Sequence, residues 1–270
     1  MSVYSKEKPE YLRASIESML SQTAAPDQFV LVKDGPLTVE LDQVIDKFVQ
    51  DNQGLFTIVE LKENRGLGIA LDEGMKYCKN ELVARMDSDD ISLPDRCEKQ
   101  LRVFDENPAL SIISGNIGEF EDSPKHIVSY RVVPEHNDAI KKRMRTRSAF
   151  NHPAVMYKKS EVIRCGGYGT LRRKQDHVLF SHMVNNGCEA KNIQDVILLF
   201  RANKDSVMRK KSLDNCIGYI EAQICIFKSG ECSVLDMIYV DLVQIAFLIL
   251  PYKLTNKVIK TLCRKGRLYE

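Results

Sequence analysis

At 270 residues the chain holds one large or two small domains. Its 39 Lys and Arg against 37 Asp and Glu leave a formal net charge of +2, which excludes a dedicated nucleic-acid binder: that function needs a basic excess or face, so any basic site here must be local. With 44% hydrophobic and 28% charged residues the chain can build a core, and disordered, collagen-like and coiled-coil classes fall away. Eight cysteines at positions 78, 97, 165, 188, 216, 225, 232 and 263 form no C-x-x-C pair, which argues for reduced thiols over zinc or redox motifs. The polar first ten residues lack the apolar run of a secretory leader, so the cytosol is the expected compartment. No apolar stretch reaches the roughly 18 to 20 residues of a spanning helix. The nearest approach, Val234 to Leu250, is interrupted by Asp236, Asp241 and Gln244 and ended by Pro251.

In chain order, Pro9 starts a helix that puts Leu12, Ile16, Met19 and Leu20 on one face. Phe29 to Val32 reads as a strand buried on both faces. After Asp34-Gly35-Pro36, the residues Leu37, Leu41, Val44, Ile45 and Phe48 repeat a helical spacing. Phe56 to Leu61 is a strand, Leu67 to Cys78 a helix, and Leu82 to Met86 a strand that ends in Asp87-Ser88-Asp89-Asp90. Ser92-Leu93-Pro94-Asp95 fits a helix start capped by Ser92, and Leu110 to Ser114 is a further strand. This alternation predicts an α/β fold with a mainly parallel central sheet flanked by helices. Residues 115 to 175 mix short β-like pieces with basic loops, Ile193 to Phe200 reads as a strand, and everything after Ser212 reads as helical. The polar, basic stretch from Arg201 to Ser212 suits a linker.

Asp87, Asp89 and Asp90 follow directly on a buried strand. Carboxylates that close repel one another unless a cation or hydrogen-bond donors compensate, and Mg²⁺ or Mn²⁺ is the natural partner; an acidic turn capping the next helix is the plainer alternative. Asp34 sits at another strand end, and Asn64-Arg65-Gly66-Leu67-Gly68 opens a helix whose N–H groups can meet an anion. Acidic residues and glycines thus gather just past strand ends, where open α/β sheets bind ligands. Neither G-x-x-x-x-G-K-[ST] nor a full G-x-G-x-x-G occurs, which disfavours P-loop and dinucleotide readings.

The ordered set Ser2-Val3-Tyr4, Ser18-Met19-Leu20-Ser21-Gln22-Thr23, Val30-Leu31-Val32-Lys33-Asp34-Gly35, Asn64-Arg65-Gly66, Asp87-Ser88-Asp89-Asp90, Gly166-Gly167-Tyr168 and Gln175-Asp176 resembles the family 2 glycosyltransferases. These are inverting enzymes of the GT-A (nucleotide-diphospho-sugar transferase) fold, and the resemblance covers about residues 1 to 200. It implies that Tyr4 packs on uracil, that Asp34 accepts the N3–H, that Arg65 approaches the nucleotide, and that Asp87 lies near ribose and metal. Asp89 would be the principal ligand of Mn²⁺ or Mg²⁺, and Asp176 the base that deprotonates the acceptor hydroxyl. A catalytic domain over 1–205 is expected, with a nucleotide-binding half at about 1–115 and an acceptor half at about 116–205, followed by a C-terminal helical extension over 206–270. Two departures stand out: Gln175 replaces the family's usual Glu, and almost nothing precedes Ser2, so the chain is expected to begin inside its first strand. Lys33-Asp34-Gly35-Pro36-Leu37 looks like the subgroup that builds O-antigen or capsule repeat units, often as β-1,3-galactosyltransferases.

The expected activity is transfer of a hexose or N-acetylhexosamine from a nucleotide-diphosphate sugar, a UDP-sugar foremost and UDP-galactose one candidate, to a lipid-linked saccharide acceptor in cell-surface polysaccharide synthesis. A sugar-1-phosphate nucleotidyltransferase and a catalytically inactive nucleotide-sugar-binding module are the alternatives. His152 could contact a phosphate or sugar hydroxyl, or be a hydrogen-bonded structural histidine; His177 and His182 lack metal-ligand spacing. Five of the seven residues from Lys141 to Arg147 are basic, as a solvated face usually is. Arg172 and Arg173, just before Gln175-Asp176, could meet an acceptor's diphosphate. Leu235, Ile238, Tyr239, Leu242, Ile245, Ala246 and Ile249 form an apolar face, followed by Lys253, Lys257, Lys260, Arg264, Lys265 and Arg267. That pairing suits peripheral contact at the cytoplasmic face of the inner membrane, or else a helix packed on the domain with a solvated tail.

Overall fold

A computed structural model describes residues 1–202 and 211–251, together with positions 254, 255, 258 and 264. Strands β1 (Ser2–Val3), β2 (Phe29–Lys33) and β3 (Phe56–Glu60) form a parallel sheet in that order. Helix α1 (Pro9–Leu20) starts on its proline and buries Leu12, Ile16 and Met19. Helix α2 (Val39–Asp51) buries Leu41, Val44, Ile45 and Phe48, and Thr38 caps it through the Leu41 N–H. Helix α3 (Leu67–Tyr77) starts at Gly66 and packs on β2. The apolar faces of α1 and α2 meet in one core with Val3, Phe29 and Leu31.

A second sheet holds β4 (Leu82–Ala84), β5 (Ile91–Ser92), β6 (Leu110–Phe120), β7 (Ile127–Arg131), β8 (Met156–Lys158) and β9 (Glu189–Arg201). Its order is β4-β8-β6-β9-β5, with β7 on β6. Helices α4 (Arg96–Glu106), α5 (Asn137–Met144), α6 (Lys159–Arg164) and α7 (Gln175–Asn185) flank it, and α8 (Leu213–Lys228) packs with α9 (Val234–Ile249) as a helical pair. The α/β architecture with a C-terminal helical extension is as the sequence predicts. Parallel pairing holds throughout the first sheet and between β6 and β9, whereas β7, β8, β4 and β5 pair antiparallel. The antiparallel strands β7 and β8 come from the region 115–175, where the sequence shows only short β-like pieces.

Several boundaries differ from expectation for identifiable reasons. Ser92 does not cap a helix: it pairs with Leu198 as part of β5, its N–H donates to Ser18 Oγ at 3.0 Å, and α4 starts only at Arg96. Strand β6 runs on to Phe120, with all eleven of its residues buried. Arg201 closes β9 instead of opening a linker; residues 203–210 of that stretch lie outside the described residues. Strand β1 is two residues long, and beside it the Met1 ammonium donates to Val30 O at 2.9 Å within an apolar cavity of about 440 Å³ lined by Phe29, Leu82, Val83 and Met156 among others. Burial, then the charge of Arg85, lowers that ammonium to about 6.

Helix α9 buries Val240 and Gln244 and exposes Leu235, Ile238, Tyr239, Leu242, Ile245 and Ile249, with Leu235 and Ile249 about three-quarters exposed. One face of this helix therefore packs on the protein, and its other face is open and apolar. Among the described residues no helix is long and apolar enough to cross a membrane. Of the basic tail, Arg264 is not a solvated cation, because its Nε pairs with the buried Glu119 carboxylate, which Arg131 also holds. Lys253, Lys257, Lys260, Lys265 and Arg267 lie outside the described residues.

Candidate active site

The ends of β1 and β2 bring Tyr4 and Asp34 side by side. Val3 pairs with Lys33, and the Asp34 N–H donates to Val3 O at 2.8 Å. Gly35 has φ +85°, and a Cβ there would stand 2.6 Å from Asn64 N, so only glycine lets this turn close on the 64–66 loop. The Asp34 carboxylate accepts the backbone N–H of Arg65 at 2.7 Å and of Gly66 at 3.1 Å, which fixes the start of α3. Arg65 thus joins the site through its backbone, while its side chain is exposed. Tyr4 is 42% exposed, leaving its ring free to stack on a planar ligand.

Asp87, Asp89 and Asp90 follow β4 with one carboxylate oxygen each, all within 4.8 Å of one another. The turn is held from several sides. Ser15 Oγ donates to Asp87 O at 2.6 Å, Ser88 Oγ to Glu7 Oε2 at 2.6 Å, and Arg201 donates its N–H to Asp90 Oδ1 at 2.9 Å and its Nε–H to Asp89 O at 3.0 Å. Burial, then the charges of Asp87 and Glu7, pushes Asp89 up to about 7. Burial, then Asp89 and Asp87, raises Asp90 well above the carboxylate range. Asp90 Oδ2 is buried with no hydrogen-bond partner among the described residues. Three mutually repelling oxygen donors with an orphaned oxygen among them fit a hard divalent cation, and Asp90 joins Asp87 and Asp89 in that donor set.

Asp176 stands in the first turn of α7. Burial alone would raise its carboxyl, but His152, Lys174 and His177 and the His177 N–H outweigh burial and hold it below the usual range, so it is ionised at neutral pH. Lys174, which precedes α7, has φ +61°, the left-handed region, and its Nζ lies 4.1 Å from the Tyr219 ring centroid on α8. His152 Nε2 is 3.0 Å from Tyr168 Oη, which is 3.2 Å from Tyr157 Oη. Burial, then Arg85, pushes His152 down to about 4, so its imidazole is neutral, and it feels Asp176 and Asp87 together. His152 is therefore within electrostatic reach of both Asp87 and Asp176.

The predicted residues separate into a nucleotide side (Tyr4, Asp34, Arg65), an acid turn (Asp87, Asp89) and an Asp176 side with His152. Arg172 is exposed at the rim, and Arg173 lies 3.9 Å from Asp214 of α8. His177 Nε2 meets Met144 O at 2.9 Å and His182 Nδ1 meets Glu231 Oε1 at 2.6 Å, structural roles in keeping with their lack of metal-ligand spacing. Three contributors escaped the sequence reading. Asp72 on α3 accepts the N–H groups of Tyr168 and Gly169 at 2.8 and 2.9 Å. Arg201 grips the acid turn while its guanidinium lies over the Tyr11 ring at 3.9 Å. Arg85, buried at the end of β4, pairs with Asp87 Oδ1. Only Arg85 left a signal, as a cation closing an apolar strand directly before the acid turn.

Set beside solved structures, the chain superposes on a mannosyltransferase, PcManGT, of Pyrobaculum calidifontis in complex with GDP-Man and Mn²⁺, with a TM-score of 0.66 over 96% of this chain and 72% of that one at 15% identity. It also superposes on residues 1–349 of S. aureus TarS in complex with UDP-GlcNAc, with a TM-score of 0.59 over 96% of this chain and 70% of that one at 15% identity. These likenesses identify the fold as that of the GT-A transferases. The Glycosyl transferase family 2 pattern matches residues 1–180, and the chain belongs to that family of glycosyltransferases. An uncharacterized glycosyltransferase of Haemophilus influenzae is 36% identical over 265 residues, 98% of each chain. A UDP-Gal:alpha-D-GlcNAc-diphosphoundecaprenol beta-1,3-galactosyltransferase of Escherichia coli is 35% identical over 266 residues, 98% of this chain and 95% of that one. The amylovoran biosynthesis glycosyltransferase AmsE of Erwinia amylovora is 33% identical over 228 residues, 84% and 83%.

Proposed function

We propose that this glycosyltransferase moves a hexose, with galactose from UDP-galactose the first choice, onto a lipid-diphosphate-linked saccharide in the assembly of a cell-surface polysaccharide. The observation that supports the reading is the cluster of Asp87, Asp89 and Asp90, whose carboxylate oxygens lie within 4.8 Å of one another just past a strand end, with Asp176 held ionised in the first turn of α7. The near full-length likeness to the E. coli galactosyltransferase supports the donor and the acceptor class.

In this reading Tyr4 stacks on the uracil and Asp34, fixed by two backbone N–H groups, accepts its N3–H. Asp87, Asp89 and Asp90 hold Mn²⁺ or Mg²⁺, which when bound stabilises the charge of the departing diphosphate. Asp176 takes the proton of the acceptor hydroxyl as that oxygen attacks the anomeric carbon, a task that requires the ionised carboxylate the site maintains. One displacement inverts the centre, so an α-linked donor gives a β-linked product. His152, neutral, offers a hydrogen bond to a sugar hydroxyl, and Arg172 and Arg173 meet the acceptor's diphosphate at the rim. The exposed apolar face of α9 rests on the cytoplasmic leaflet, where a lipid-linked acceptor resides.

A screen of UDP-sugars with purified protein, Mn²⁺ and a synthetic lipid-diphosphate N-acetylglucosamine, read by mass spectrometry, tests the proposal. A product one hexose heavier from UDP-galactose is expected. UDP binding without transfer from any donor would sink the enzymatic reading.

A further inference from the structure

Arg85 is 3% exposed, and its backbone is locked on both sides: its N–H donates to Val155 O at 2.9 Å and its O accepts from Arg96 Nη2 at 2.7 Å. Among the described residues only Nη2 of its guanidinium has a partner, the Asp87 carboxylate. Nε and Nη1 are buried and find none among them. A guanidinium offers five N–H donors and cannot shed its proton, so buried donors left unmet are costly. Arg85 lies within electrostatic reach of Asp90, His152 and Tyr168 as well as of its partner Asp87. Its guanidinium therefore stands beside the cation-binding carboxylates. On the nucleotide-sugar reading, that is where the diphosphate of the donor must lie.

We propose that Arg85 is a donor-binding residue whose unpartnered Nε and Nη1 take oxygen atoms of the nucleotide sugar at the diphosphate–sugar junction. The pairing with Asp87 aims the guanidinium and leaves the rest of its donors to the ligand. A lysine would keep a charge beside Asp87 but lose the planar set of donors, so it does not substitute.

Calorimetric titration of the full chain with Mn²⁺ alone, then with UDP, then with UDP-galactose, tests this on the wild type, Arg85→Met and Arg85→Lys. Mn²⁺ affinity should be nearly unchanged in Arg85→Lys, while donor affinity falls about ten- to a hundredfold in either variant. A loss already seen with UDP assigns the contact to phosphate oxygen; a loss seen only with UDP-galactose assigns it to the sugar. Unchanged affinity for both ligands would overturn the proposal. So would an equal loss of Mn²⁺ affinity in Arg85→Lys, because Arg85 would then act only by placing Asp87. Should Arg85→Met fail to fold, Arg85→Lys decides alone. A wild-type chain that binds no UDP fails the nucleotide-sugar reading itself, a result distinct from variants that bind as well as wild type.

Discussion

Asp72, in the middle of α3, accepts the backbone N–H groups of Tyr168 and Gly169 through its two carboxylate oxygens at 2.8 and 2.9 Å. Gly167, just before, has φ +70°, and a Cβ there would stand 2.6 Å from Asp72 Oδ1. One carboxylate from the nucleotide side thereby fixes the loop that carries Tyr168, and through Tyr168 it fixes His152. Asp72→Asn keeps a single acceptor and should cost about 1–2 kcal/mol of stability. Turnover should fall about tenfold or more as His152 and Asp176 lose their setting, with UDP affinity unchanged. Steady-state kinetics beside UDP titration check this, and a selective loss of UDP affinity would contradict it.

His152 supplies a pH signature. Its folded pKa of about 4 lies below the ordinary 6.5, so the unfolded chain takes up a proton in that window that the folded protein refuses. Stability is therefore full above pH 6.5 and is lost as pH falls through 6.5 towards 4. The expected share of His152 is about 2 kcal/mol between pH 7 and 5. Urea denaturation of wild type and His152→Gln at both pH values measures it, and equal pH slopes would refute it.

The parts of the site legible in the sequence were those whose signal is local. Asp34, the acid turn and Asp176 each stand at a strand end or a helix start, where a few neighbours reveal the backbone geometry. Asp72 was not legible, because a polar residue in a helix reads as solvent-facing until a loop 96 positions away folds onto it. Arg201 read as linker from its polar neighbours, while its partners Tyr11, Asp89 and Asp90 are distant in the chain. In the fold, β2, β3 and their helices follow from hydrophobic period. The full length of β6 did not, since Gly115, Asn116, Gly118 and Glu119 break the apolar run and are buried by parts of the chain distant in sequence.

The open face of α9 gives a test of membrane contact. Leu235→Glu with Leu242→Glu should lower partitioning onto phosphatidylglycerol vesicles at least about a hundredfold, since each buried leucine contributes about 1.5–3 kcal/mol. Transfer to a short-chain, water-soluble acceptor should stay intact. Vesicle flotation measures the first, and flotation equal to wild type would exclude α9 as the contact.

We propose Asp176 as the base, with the donor nucleotide held by Tyr4 and Asp34. The most direct test is Asp176→Asn with UDP-galactose, Mn²⁺ and the lipid-diphosphate acceptor, with product and UDP affinity measured on one preparation. Transfer should fall about 10²- to 10⁴-fold with UDP affinity nearly that of wild type. Transfer at the wild-type rate by Asp176→Asn would contradict it.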